Sequence, residues 1–418
     1  MYLLEWLLIG LLAYWGVVLT ASVGSLLFYS RREIRWRKQV GETELPNALV
    51  ILSLRGADPN LPATLESLLH QEYPRYHVRI VVDHLQDPTW ELVQQVVSEC
   101  NAPAGHVEVA VLESPRETCS LKCSALLQAT RALPPNCEVV AFIDADTVPH
   151  ATWLRDLVQH LTDRRVGATM GNRWYVPPDG RWGSWSRYLW NVGAVVAMYM
   201  TVVPWGGSLA VKTSLLAELR ERWKRAGCDD VPLVAVLWKM KLKLKFVPSV
   251  LMVNHEGCSY EVCERFVSRQ LLWVRLYHPI SWWLCQPGVA AAPFVLATVV
   301  TLAVIEFTRQ HVDQALWLSG ALVAFVCVTL ACGMALEMGA RSWLQQRGES
   351  GAKLTWKVVP AFFLVQWLMV VATWKSLVTR QITWRGIKYS IRGPWKVHME
   401  QYAPYISADQ APSADSLL

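Results

Sequence analysis

The sequence predicts an α/β domain set between membrane helices at its N-terminal and C-terminal ends, and three observations predict it. Residues from about 6 to 29 form an unbroken apolar run, long enough for one bilayer-spanning helix. Residues from about 46 to 250 alternate short apolar runs with helical patterns, as a parallel sheet with crossover helices does. The last third turns apolar again, with candidate spans at about 288–305, 315–336 and 358–374. The implied division is 1–30, a first membrane helix; 31–285, a cytosolic domain; 286–375, further membrane helices; and 376–418, a basic cytosolic tail.

Composition agrees. Of 418 residues, 53% are hydrophobic and 18% charged, against about 25% charged in soluble domains. The 22 Trp suit a long membrane interface, where an indole keeps its ring apolar and its N–H wet. This hydrophobicity excludes a disordered chain. A net charge of +6 is too weak to argue for nucleic acid, and none is expected as a partner. The ten Cys contain no CxxC pair. Cys119 and Cys123 flank Lys122 without His partners, so reduced thiols are expected rather than a zinc site.

The first apolar run has Glu5 and no basic residue before it, which argues against a cleaved signal peptide. Arg31, Arg32, Arg35, Arg37 and Lys38 follow it. By the positive-inside rule they put the following domain in the cytoplasm. Three further crossings would then put the tail outside, yet Lys375, Arg380, Arg385, Lys388, Arg392 and Lys396 follow the last of them. One C-terminal segment is therefore expected not to cross. The run 358–374 is the candidate, being the shortest and containing Pro360.

Within the middle domain, strands are expected at 48–54, 78–83, 107–112 and 139–144, with helices at 61–70, 90–100 and 120–132. Ligands of such sheets sit at the carboxyl ends of the strands, where Asp83 and Asp144 fall. The apolar run 192–203 is too short to span and reads as a buried or interfacial segment.

Asp144-Ala145-Asp146 closes the strand VVAFID. Two carboxylates at i and i+2 can hold a divalent cation that takes its other ligands from a diphosphate. An acid after a fully apolar strand is costly to bury without a task. Asp83 closes VRIVVD and is either an acceptor for a base or ribose or a helix cap. Lys122, at a helix start, reads as a phosphate ligand or a solvated surface lysine. Asp229-Asp230 precedes a helical stretch at 233–240, as a cap or as a general base raised by its neighbour. Trp205-Gly206-Gly207-Ser208 is a plain turn or a close backbone approach to a ligand. Arg269 and Trp273 lie one helical turn apart. They form either a diphosphate-binding face, with the guanidinium stacked on the indole, or part of a juxtamembrane basic belt with Arg265 and Arg275.

Taken in order, Asp83, Lys122, Asp144-x-Asp146, Gly206-Gly207-Ser208, Asp230 and Arg269-xxx-Trp273 make a series. It resembles the family-2-type inverting glycosyltransferases, with their D, DxD, D, (Q/R)xxRW motifs. It is most similar to the ceramide glucosyltransferase branch, a type also seen in bacterial hopanoid-associated lipid glycosyltransferases. LRGADPNLPATLESL (54–68), EYPRYHVRIVVDHLQDP (72–88), the stretch 253–273 and ITWRGIKYSIRG (382–393) share that branch's style. The likeness covers about residues 1–395.

The resemblance implies a GT-A fold, a nucleotide-sugar donor with UDP-glucose as the default, a divalent cation (Mg²⁺ or Mn²⁺) and a membrane lipid acceptor. Asp83, Lys122 and Asp144 would bind the donor, and Asp144 and Asp146 the metal. Asp230 would be the catalytic base, with Arg269 and Trp273 closing the site. Two positions depart from the pattern. Leu272 stands where the motif has Arg, and Asp229 where the branch usually has Glu. The alternatives are a processive polysaccharide synthase and a non-catalytic scaffold. Ceramide, a hopanoid and diacylglycerol remain equal as acceptors.

Overall fold

A computed structural model describes residues 2–37, 45–56, 58–100 and 106–406. Lys38 of the basic flank and residues 407–418 of the tail lie outside them. After a first helix, α1 (Tyr2–Arg37), four runs of aliphatic and β-branched residues become strands: β1 (Ala48–Leu54), β2 (Tyr76–Val82), β3 (Val107–Val111) and β4 (Val139–Ile143). They pair in parallel in the order β3-β2-β1-β4. The helices between them are α2 (Leu61–Leu69), α3 (Pro88–Glu99) and α4 (Leu121–Ala129). Ser120 caps α4 by accepting from the Cys123 N–H, and Asp87, not Asp83, caps α3.

The expectation of a parallel sheet needs correction, because the complete sheet is mixed. Beyond β4, a short helix α5 (Trp153–Val158) leads to β5 (Val166–Tyr175). Then come α6 (Trp182–Thr201), β6 (Ser208–Lys212), α7 (Leu216–Trp223), α8 (Leu233–Met240) and β7 (Lys243–Asn254). The order β4-β6-β5-β7 completes seven strands, with β6 antiparallel to both neighbours. β6 starts beside the end of β4, Ser208 pairing with Ile143. Strand β5 and helix α6 bring the chain back to the carboxyl edge, so β6 can only run the other way. The apolar run 192–203 supplies the second half of α6.

The chain continues through α9 (Tyr260–Tyr277), α10 (Pro279–Thr308), α11 (Val312–Gln345) and α12 (Val358–Val378). Among the described residues four helices are long and apolar enough to cross a membrane: α1, α10, α11 and α12. Leu8 and Leu12 of α1 pack with Leu296 and Val299 of α10 and Leu318 of α11. α12 behaves differently, since both its ends are tied to the α/β domain. Lys357, just before it, donates to the Gly180 carbonyl at 2.6 Å. Near its other end Lys375 pairs with Glu264 at 2.5 Å and Arg275 donates to the Ser376 carbonyl at 2.7 Å.

The tail folds back as a three-stranded antiparallel sheet: β8 (Gln381–Trp384), β9 (Ile387–Ile391) and β10 (Val397–Met399). It docks on the α/β domain. The Met399 N–H donates to the Glu117 carbonyl at 2.7 Å, and the Leu121 N–H to the Tyr389 hydroxyl at 3.2 Å.

Leu272 of α9 is 1% exposed and belongs to the main core. An arginine there would bury an unpaired charge. Leu272→Arg is expected to destabilise the protein by about 3–5 kcal/mol, while Leu272→Met costs less than about 1.5 kcal/mol. Thermal unfolding of both variants in detergent checks this; an arginine variant as stable as the parent refutes it.

Candidate active site

The carboxyl edge of β4 delivers Asp144 and Asp146, and the structure surrounds both with cations. Lys122, the second residue of α4, reaches Asp144 Oδ1 at 2.6 Å and Asp229 Oδ2 at 3.0 Å. It is therefore a partly buried link between two carboxylates and not a solvated surface lysine. Arg173 on β5 lies 3.3 Å from Asp144 and 2.8 Å from Asp146, with its guanidinium 4.9 Å from the Trp205 ring. Burial works against charge on Asp144, but Lys122 and Arg173 outweigh it and lower its pKa. At Asp146 burial prevails over Arg173 and raises the carboxyl to about 7.

Asp229 and Asp230 diverge. Asp229 is buried against Lys122, and burial raises its carboxyl to about 6 despite that ammonium. Asp230 is half-buried, and its oxygens accept from the Gly206 N–H at 2.9 Å and the Val231 N–H at 2.7 Å. Neither carboxylate caps α8, whose N-cap position is Pro232. The close approach of the Gly206-Gly207 turn explains its composition. A Cβ on Gly206 would lie 2.5 Å from Asp229 Oδ2, and one on Gly207 would lie 2.6 Å from Asp144 Oδ2.

Asp83 sits at the end of β2 with its side chain fully buried. Arg55 pairs with it, the Tyr402 hydroxyl donates to it at 2.9 Å, and the Tyr405 N–H donates at 3.2 Å. The C-terminal segment thus lies over the carboxylate expected to meet the nucleotide.

Arg269 and Trp273 of α9 line the same cavity, but the expected stacking between them is not found. Arg269 lies over Trp384 at 5.3 Å and Phe266 at 5.9 Å. Trp273 instead packs on Gly227, where a Cβ would come within 2.3 Å of the indole, and so steadies the loop that carries Asp229 and Asp230. Shared helical spacing put the two side chains on one face, while tertiary neighbours chose their partners. Arg275 turns away to α12.

Sequence reasoning missed Arg173, Arg55, Tyr402, Tyr405 and Arg385. Arg385 carried a signal, since an Arg-Gly pair between alternating apolar residues is a hairpin pattern. Arg173 carried only the oddity of a guanidinium in a strand that is buried throughout.

Apart from Tyr402 and Tyr405, these groups share one cavity of about 1220 Å³. One end holds Asp144, Asp146, Asp229, Asp230, Arg173 and Arg269; apolar side chains of α1, α6, α10, α11 and α12 line the other. Among the described residues no group of three or more His, Cys, Asp and Glu could hold a metal. Two carboxylates, Asp144 and Asp146, suit a cation that takes its remaining ligands from phosphate and water.

The family model for glycosyl transferase family 21 matches residues 14–396. The chain belongs to glycosyl transferase family 21. This family-21 protein is a glycosyltransferase built on a mixed, parallel-rich sheet. It is 25% identical over 138 residues to the glycosyltransferase AglE of Haloferax volcanii, across 32% of this chain. The match spans 42% of that curated relative's length. Among solved structures it is similar to the mannosyltransferase PcManGT from Pyrobaculum calidifontis, determined in complex with GDP-Man and Mn²⁺. The identity is 19%, with 89% of this chain and 99% of that one covered and a TM-score of 0.45. Glucosyl-3-phosphoglycerate synthase from Mycobacterium tuberculosis gives 14% identity, 54% and 79% coverage and a TM-score of 0.36.

The divergence of the two acids predicts unequal mutants. Asp230→Asn is expected to lower transfer by on the order of 10²-fold or more, the scale of a general base, with donor binding nearly unchanged. Asp229→Asn should lose less activity, because Lys122 keeps Asp144. Steady-state kinetics with donor titration decides; reversed severities assign the base to Asp229.

Proposed function

We propose that this enzyme moves one sugar, with inversion, from a nucleotide sugar to the hydroxyl of a membrane lipid. UDP-glucose is the default donor. Ceramide-like lipids, hopanoids and diacylglycerol are the acceptor candidates. The observation that carries the reading is the single cavity, charged at one end and walled by long apolar helices at the other. An amphiphile fits such a space with its hydroxyl at the carboxylates and its chains among the helices. A processive synthase would need a polar channel for its growing chain, and the membrane end here is apolar.

In this reading Asp230, held by two backbone N–H groups, takes the acceptor proton as the hydroxyl attacks. Asp144 and Asp146 would hold a divalent cation, which would supply charge stabilisation to the departing diphosphate. Lys122 and Arg269 add positive charge on the same side, and Asp83 acts at the nucleotide end by holding Arg55, which lines the cavity. The apolar wall keeps water from competing with the acceptor.

The arginines in the last turns of α1 support a cytoplasmic catalytic domain by the positive-inside rule. The tail sheet docks on that domain, so both lie on one side, and α10 to α12 then make an even number of crossings. With both ends tied to the domain, α12 is the helix that lies along the interface.

Radiolabelled sugar from a nucleotide donor is expected to enter a chloroform-soluble product. Label that stays with a water-soluble polymer, or is not transferred, overturns the reading. Asp144→Ala and Asp146→Ala should abolish transfer with every acceptor, as should chelation of divalent cations; full activity in chelator refutes the metal assignment. A tag after Leu418 is expected to be protease-protected in sealed right-side-out vesicles. An accessible tag refutes the interfacial placement of α12.

A further inference from the structure

The hairpin joining β8 to β9 ends in a two-residue turn, Arg385-Gly386, flanked by the pair Trp384 and Ile387. Both turn residues have left-handed backbones, with φ of 46° and 77°. Glycine adopts that conformation freely; for a non-glycine side chain it is uncommon and disfavoured. Such a turn usually carries Asn or Asp before its Gly. An arginine at the first position is therefore a costly choice for making a turn and needs another reason.

The turn carries the Arg385 side chain into the cavity beside Arg269, Asp144 and Asp146. It is tied there. Nη2 donates to Asp58 at 3.0 and 3.2 Å, and Nη1 donates to the Arg55 carbonyl at 2.8 Å. No partner among the described residues takes its Nε–H. Its neighbour Trp384 lies under the Arg269 guanidinium, so one hairpin sets both arginines.

The charges do not balance locally. Asp58 offsets Arg385, but no carboxylate or hydrogen-bond acceptor among the described residues meets Arg269. Burial, together with the nearby Arg385, lowers the Arg269 pKa to about 10. Two partly buried guanidiniums lining one cavity, one of them with no acceptor among the described residues, call for an anion. Planar, multi-donor guanidiniums match phosphate oxygens better than a lysine does.

We propose that Arg385, delivered by the tip of the β8–β9 hairpin, is a donor-binding residue that contacts the diphosphate of the nucleotide sugar together with Arg269. The inference rests on the nucleotide-sugar reading above and adds the residue that the tail contributes. An arginine serving only as a clasp for Asp58 would hold the tail and leave phosphate recognition untouched.

The test is calorimetric binding of UDP and UMP, and of GDP and GMP, to the full-length protein in detergent with Mn²⁺. Arg385→Gln is expected to weaken diphosphate binding on the order of tenfold or more, the scale of a charged hydrogen bond. Monophosphate binding should change by less than about threefold. Arg269→Gln should show the same selectivity, and Arg385→Lys should recover only part of the loss. Asp58→Asn removes the clasp but keeps the guanidinium, and should retain the preference for diphosphate. Equal weakening of both nucleotides, unchanged diphosphate binding in Arg385→Gln, or the same loss in Asp58→Asn overturns the inference. A parent protein that binds neither UDP nor GDP defeats instead the donor reading on which it rests.

Discussion

One ammonium group organises the charged end of the cavity. Lys122 stands between Asp144, at the end of β4, and Asp229, in the loop before α8. Without a cation between them, two carboxylates in a buried site would repel, and neither backbone could come so close. The position of that ammonium is fixed by backbone features. Ser120 caps α4, and its own N–H donates to the Ala226 carbonyl at 2.9 Å. This joins the start of α4 to the loop that carries Asp229. Trp223 donates to the Asp229 carbonyl at 2.7 Å from the other side. The two glycines at 206 and 207 complete the arrangement by leaving room for both carboxylates.

The long apolar helices are held to the domain by the same kind of interaction. Glu337 of α11 is 1% exposed and accepts from Trp174 at 3.0 Å, Tyr188 at 2.9 Å and Arg341 at 2.9 Å. At the end of α1, Glu33 pairs with His160 and, at 3.5 Å, with Lys245. A buried carboxylate with several donors tolerates little sliding, since each lost partner leaves charge uncompensated. These two anchors therefore fix the rotation and depth of α1 and α11 against the cavity they line.

Much of this was legible in the amino-acid order. The strands β1 to β4 announced themselves as apolar runs, and two of them ended in the aspartates Asp83 and Asp144. The helices α2, α3, α4 and α8 followed from spacing. β5 and β7 were hidden because their patterns are broken by buried polar groups, Thr169, Asn172 and Arg173 in one, and by Lys243 and Lys245 at the start of the other. Their polarity makes sense only beside Asp146 and Glu33. The partner of Arg269 was also out of reach. Spacing tells which face of α9 it shares, but Trp384 arrives from a hairpin beyond three further helices.

That late arrival has a consequence for biosynthesis. A growing chain halted before residue 381 already contains Asp144, Asp146, Asp229 and Asp230, yet the hydrogen bonds around Asp83 close only when Tyr402 and Tyr405 emerge. By then α10 and α11 have left the ribosome. The order of translation thus works as an interlock, because the pocket is finished only after the greasy vestibule beside it has been installed.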